Sequence, residues 1–207
     1  MAKIWNVHPE NPPPRVIDQA VNLLASGGVL MCPTECSYVL VHGISEKNAH
    51  ERVLKIRDLP PGHLFTLMCD SVSQLSKYAH VGSAEYRILR KHCPGSFTFV
   101  LEATRLVPKN VYGPKRNTIG ARISEHPVCQ SLLRRYGNPV ITTTARVNGS
   151  TLLEMAELNV ETVFEKLVDG ILFVGNGFVE ETTIVDLVRN PPSVIRQGRG
   201  STSRLGF

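Results

Sequence analysis

No stretch of the chain approaches the roughly 20 consecutive apolar residues of a membrane-spanning helix, so a helical membrane protein is excluded. The opening residues, MAKIWNVHPENPPPR, have no apolar core of the kind a secretory signal carries. The expected compartment is the cytoplasm, and no membrane partner is expected. Cysteine is scarce and unpatterned: Cys32, Cys36, Cys69, Cys93 and Cys129 are odd in number and contain no Cys-x-x-Cys pair. That argues against a disulfide framework and a zinc ribbon. Cys32 and Cys36 lie four apart, but no histidine pair follows at finger spacing. None of the seven histidines falls in a His-Glu-x-x-His pattern, and no protein-bound metal is expected. Internal repeats and low-complexity segments are missing too. Acidic residues stop at Asp186, whereas Arg189, Arg196, Arg199 and Arg204 follow.

The charge that is present is therefore uneven. The net formal charge is +5, and a second basic group comprises Lys109, Lys115, Arg116 and Arg122. Such clusters suit phosphate-bearing partners, nucleotide or RNA, and they equally occur as solvated basic faces. With 207 residues, 42% hydrophobic and 20% charged, the chain reads as one globular domain over 1–207, long enough to bury a core.

The periodicity predicts strands interleaved with helices. Pro14 suits a first helical position, and the amphipathic stretch Arg15 to Ala25 ends at Gly27-Gly28. Further helices are predicted over Lys47 to Arg57, from a cap at Asp70 through Tyr78, over Ala84 to His92, His126 to Arg135, and Glu161 to Val168 behind an Asn159 cap. Strands are predicted at Val29 to Cys32, Tyr38 to Val41, Leu64 to Cys69, Phe97 to Glu102, Thr118 to Ile123, Val140 to Thr144, Ile171 to Val174, Thr183 to Leu187 and Val194 to Arg196. Several strands follow one another with no helix between them, which implies an α/β fold with a mixed rather than purely parallel sheet.

The chemistry gathers first at VLMCPTECSYVLVHG, residues 29 to 43. Pro33, which has no N–H to give a sheet, is expected to stop the first strand, and Thr34, Glu35, Cys36 and Ser37 crowd the turn. Such a turn leaving a buried strand is a common ligand site in α/β proteins. It also reads as an ordinary turn whose hydroxyls satisfy their own backbone.

Strand, Pro-Thr-acid-small-x-aromatic, apolar strand and Gly resembles the P-T-D-T-x-Y-G-L motif of the YrdC/YciO family of threonylcarbamoyl-adenylate synthases and their relatives. Five later segments extend the resemblance in order. Lys55-Ile56-Arg57, followed by Pro60 and His63, resembles the family's Lys-x-Arg-Pro, whose cations contact nucleotide phosphates; without the family, two cations at a helix C-terminus would simply complement its dipole. Pro94-Gly95-Ser96-Phe97-Thr98-Phe99-Val100-Leu101 resembles P-G-P-x-T-x-x-L, with Ser96 in place of proline. Thr118-Ile119-Gly120-Ala121-Arg122-Ile123 and then His126-Pro127 match a segment in which the threonine touches nucleotide and the arginine binds an amino-acid carboxylate. By strand alternation Thr118, Gly120 and Arg122 share a face. Pro139 to Gly149 aligns with P-V-x-S-T-S-A-N-x-S-G, but Thr144 stands for the serine and Arg146 for the asparagine of the family's Ser-x-Asn pair. Thr182-Thr183-Ile184-Val185-Asp186 and Val194-Ile195-Arg196-Gln197-Gly198 resemble S-T-V-V-D and I-x-R-x-G.

The resemblance covers about residues 14–200 and is closest to the YciO branch, without the extra C-terminal domain of the larger members. It implies a YrdC-like twisted mixed sheet flanked by helices, with a concave basic cleft. It further implies condensation of L-threonine, bicarbonate and ATP to threonylcarbamoyl-AMP, with Mg²⁺, for the threonylcarbamoyl modification of a tRNA adenosine. The implied nucleotide residues are Lys55, Arg57, Thr118, Thr144, Arg146 and Arg196, with Lys55, Arg57 and Thr144 catalytic. The implied amino-acid residues are Thr34, Cys36, His63, Arg122, Thr142 and Thr182. A synthase weakened or lost through Arg146, a related enzyme using another amino acid, and a double-stranded RNA or tRNA-binding module using Lys109, Lys115, Arg116, Arg199 and Arg204 are the alternatives.

Overall fold

The computed structural model describes residues 1–112, 117–147, 150, 159–176 and 179–205. Lys115, Arg116, Asn148 and Gly149, named above, lie outside them. In chain order the elements are β1 (Lys3–Asn6), α1 (Pro14–Ala25), β2 (Leu30–Pro33), β3 (Tyr38–Gly43), α2 (Lys47–Arg57), β4 (Thr66–Met68), α3 (Val72–Tyr78), α4 (Ser83–His92), β5 (Phe97–Glu102), α5 (Lys109–Tyr112), β6 (Thr118–Arg122), α6 (Pro127–Tyr136), β7 (Val140–Thr144), α7 (Val160–Phe164), β8 (Gly170–Phe173), β9 (Thr183–Asp186) and β10 (Ser193–Arg196).

These strands form one ten-stranded mixed sheet in the order β1-β8-β2-β3-β7-β4-β6-β5-β9-β10. β2 and β3 are buried along their whole length, as unbroken apolar runs require of central strands covered on both faces. One face packs Met31, Leu40, Leu67 and Phe99 against Val53, Leu75, Leu89 and Phe164. The other packs Leu30, Cys32, Val39 and Val41 against Ile17, Ala20 and Leu24 of α1 and Val128, Leu132 and Leu133 of α6.

This second face changes character along the sheet. Register runs Val41 to Thr142, Thr142 to Thr66, Thr66 to Gly120, Gly120 to Val100 and Val100 to Asp186. Aliphatic residues under α1 and α6 thus give way to threonine and glycine over β7, β4, β6 and β5. Those small polar residues line this part of the sheet.

Several boundaries differ from expectation for local reasons. The helix cap at Asp70 is instead Ser71, whose hydroxyl accepts from the Gln74 N–H while donating to Asp70. β4 is shorter than predicted because it pairs only over the three residues that β6 and β7 reach. β1 was unpredicted: its polar-flanked Trp5 becomes a strand residue by parallel pairing with β8, a non-local contact that periodicity does not report. The Asn159 cap forms as expected, its side chain accepting from Glu161.

Within the first core His42 lies edge-on to His50, with Phe65 beside both. Its Nδ1 donates to the Gly43 carbonyl at 2.8 Å, and its Nε2 is buried without a partner. Burial drives its pKa down from 6.5 to about 4, reinforced by His50 and opposed by the Gly43 bond. The unfolded chain therefore takes up this proton first, and stability is lost as pH falls from 6.5 towards 4. Wild type should lose on the order of 2 kcal/mol through this group between pH 7.5 and 5. Thermal melts of wild type and His42→Phe across that range test it: the substitution should flatten the slope, and equal slopes would refute the assignment.

Candidate functional site

A cavity of about 360 Å³ opens on the threonine-rich part of the sheet, lined by Arg57, His63, Thr66, Thr98, Arg122, Thr142, Thr144, Arg146, Glu181, Thr182 and Arg196 among others. Four arginines face one glutamate here, so the space is built for anions. A second hollow of about 610 Å³ adjoins it and shares Leu64, Thr66, Thr98 and Ile184; Thr118, Gly120, Asp186, Val188 and Ile195 also line it. Gly120 lines the second hollow beside two of the shared residues, and a Cβ there would come within 3.2 Å of the Thr98 methyl and 3.4 Å of the Thr66 hydroxyl.

Each cation reaches the cavity by a definable route. Arg57 is the last residue of α2, and its Nε is buried without a hydrogen-bond partner. Burial, then the neighbouring Arg146 charge, lower its pKa to about 10, leaving it cationic at neutral pH. Burial and then Arg57 also hold His63 below its usual value, which favours a neutral imidazole. Arg122, at the end of β6, is 5% exposed and ion-paired through Nη2 to Glu35 Oε1 at 2.5 Å. The other Glu35 oxygen accepts from the Ser124 hydroxyl and the Glu125 N–H. Arg122 Nε remains without a partner. Arg146 Nη2 and Arg196 Nη1 bind the two oxygens of Glu181 at 2.8 and 3.0 Å. Arg196 also donates to the Thr182 carbonyl from Nε and Nη2. Thr98 and Thr182 share a hydroxyl hydrogen bond of 2.9 Å, and Thr142, 3% exposed, has an Oγ1 with no partner.

The structure thus gathers Arg57, His63, Arg122, Thr142, Thr144, Arg146, Thr182 and Arg196 around one cavity, and Thr118 around its neighbour. Three expected residues stand apart. Lys55 precedes Arg57 by two positions, about 200° around the helix, and is exposed in a separate groove with Leu54, Leu59 and Pro61. Thr34 closes its own turn, donating to the Ser37 carbonyl at 2.7 Å and accepting from Cys36 and Ser37 N–H groups. The ordinary-turn reading therefore holds at Thr34. Cys36 sits against Glu35, with its thiol pKa raised by burial and by that carboxylate. Of the cations named for RNA, Lys109 is exposed and Arg199 is paired with Glu180.

Glu35 and Glu181 were missed from the sequence. Glu35 lies inside a recognised segment and holds Arg122; Glu181 immediately precedes one and holds Arg146 and Arg196. The signal was available for Glu35: an acid between a buried strand and a turn of small residues needs a partner.

A family model for Sua5/YciO/YrdC proteins, described as "Telomere recombination", matches residues 22–198. YciO of Escherichia coli K12 is 40% identical over 200 residues, 97% of each chain. A threonylcarbamoyl-AMP synthase of Vibrio vulnificus YJ016 is 30% identical over 186 residues, 88% of this chain and 94% of that protein. The crystal structure of E. coli YciO superposes with a TM-score of 0.86, at 38% identity and 98% coverage of both chains. That of P. abyssi Sua5 complexed with L-threonine gives 0.84 at 23% identity, covering 94% of this chain and 57% of that one, and shares the fold.

Two substitutions separate the roles of the buried polar groups. Glu35→Ala leaves Arg122 buried and unpaired and should cost about 3–5 kcal/mol. Thr142→Val removes a hydroxyl that has no partner and should leave stability unchanged or raise it by up to about 1 kcal/mol. Urea denaturation measures both; a clear loss in Thr142→Val would show that its hydroxyl supports the fold.

Proposed function

The chain belongs to the Sua5/YciO/YrdC family, and from that premise we propose that it binds ATP and L-threonine and forms threonylcarbamoyl-AMP from them with bicarbonate. The observation that supports this reading most is the gathering around one cavity of four residues that carry unpartnered buried polar atoms. Nε of Arg57, Arg122 and Arg146 and Oγ1 of Thr142 are buried without partners, and all four residues line it. A folded protein rarely leaves such groups unmatched, and together they ask for a ligand with several anionic oxygens.

The two adjoining hollows suit two substrates. At the inner one, the Arg122 Nε–H and the Thr142 hydroxyl would hold the amino-acid carboxylate. The Thr98–Thr182 hydroxyl pair and neutral His63 would meet its polar side chain. Arg57, Arg146 and Arg196 would take the phosphates, with Thr144 orienting them. The outer hollow offers Leu64, Val188 and Ile195 to a nucleobase and Thr118 to a ribose. The threonine amine and bicarbonate give a carbamate and water; a carbamate oxygen then attacks the α-phosphorus and pyrophosphate leaves. No protein nucleophile is required, since positioning and neutralisation of the spreading charge lower the barrier. The lining supplies guanidinium and hydroxyl groups rather than a set of carboxylates, so Mg²⁺ fits as the counter-ion of the polyphosphate. The product would serve threonylcarbamoylation of a tRNA adenosine by other proteins.

Pyrophosphate release tests the reading. It should require ATP, Mg²⁺, L-threonine and bicarbonate together, and Thr142→Val should weaken L-threonine binding about tenfold. Release that does not depend on L-threonine and bicarbonate, or none at all, would overturn the synthase assignment.

A further inference from the structure

Glu181 is the one acid among the described residues that line the inner cavity, and its position is unusual. Its carboxylate spans two guanidinium groups: Oε1 accepts from Arg146 and Oε2 from Arg196. Two oxygens of one group, each held by a different arginine, is the arrangement a phosphate would adopt between the same cations. We propose that Glu181 is an internal stand-in for a substrate phosphate, and that a bound polyphosphate displaces its carboxylate from Arg146 and Arg196. The inference rests on the phosphate-binding reading above and assigns to Glu181 a role in selecting ligands: only an anion stronger than a carboxylate gains both arginines.

The backbone around Glu181 is fixed, so the side chain alone can move. Its carbonyl accepts from Arg199 N–H at 2.9 Å, and the adjacent Glu180 N–H donates to the Cys36 carbonyl at 2.8 Å. Gly198 lies so close beneath that a Cβ would fall 2.3 Å from the Glu181 carbonyl oxygen. The side chain itself is about one-third exposed, at 35%, which leaves it room to swing towards solvent and keeps the ion pair partly screened.

Arg57 and Arg196 do not depend on Glu181 for their placement, whereas Arg146 is held by it. Arg196 is anchored to the Thr182 carbonyl by two bonds, and Arg57 has no ion pair among the described residues. Arg146 carries a second, unpartnered donor at Nε. With Glu181 withdrawn, Arg57, Arg146 and Arg196 face the cavity with no carboxylate between them. Arg146 thereby gains a purpose beyond bulk: it is the cation that Glu181 restrains until a phosphate arrives.

The test is calorimetric titration of inorganic tripolyphosphate into the full-length protein, its Glu181→Gln variant, an Arg146→Gln variant and the double variant. Glu181→Gln keeps the side-chain shape and removes its charge, and should tighten binding about tenfold. The gain should shrink to about twofold or less where Arg146 is already Gln. Glu181→Asp, too short to reach both arginines, should also tighten binding and serves if Glu181→Gln does not fold. A purely structural Glu181 would show lowered thermal stability with unchanged or weakened binding, which overturns the inference while wild-type binding keeps the phosphate-site reading intact. Absence of binding by every variant, wild type included, overturns both.

Discussion

The buried ion pair between Glu35 and Arg122 holds the site together. It joins the turn after β2 to the end of β6, two segments far apart in sequence, and the same carboxylate fastens the start of the Ser124–Glu125 segment leading into α6. Neither charge can be buried alone without a penalty of several kcal/mol, so each fixes the other. The consequence for chemistry is orientation. Arg122 is committed through Nη2 to Glu35, which fixes its guanidinium at the cavity wall and leaves its buried Nε without a partner.

The open sheet face supplies the rest. Helices α1 and α6 cover one end of it and stop, and beyond them the floor is threonine and glycine instead of leucine and valine. Hydroxyls at Thr66, Thr98 and Thr142 and bare backbone at Gly120 make a floor that is rigid, because it is sheet, and polar, because threonine and glycine replace the aliphatic residues found under α1 and α6. Cations enter from the edges: Arg57 from a helix end, Arg146 from the segment after β7, Arg196 from the outermost strand. A rigid floor with converging charges limits the reorganisation that binding a polyphosphate would demand.

The sequence made much of this visible. Apolar runs identified β2, β3 and β5, capping and periodicity identified α1, α2 and α6, and the absence of helices between strands correctly implied a mixed sheet. Family resemblance named eight residues that do meet at one cavity. The failures have a common physical origin in tertiary geometry. β1 exists only through its pairing with β8. Lys55 and Arg57 look like one motif in sequence, yet a helix turns them to different sides. Thr34 looks like a ligand group, but its hydroxyl is fully engaged by its own turn. Glu181 and Glu35 matter because of which arginines reach them across the fold, and no local pattern reports that.

The most direct measurement is a crystal structure of the protein with L-threonine and a non-hydrolysable ATP analogue. The amino-acid carboxylate should lie within hydrogen-bond distance of Arg122 Nε and Thr142 Oγ1, the phosphates among Arg57, Arg146 and Arg196, and the base in the adjoining hollow beside Thr118. Ligands bound elsewhere, or a cavity left unfilled at saturating concentrations, would contradict the assignment of this cavity as the site of chemistry.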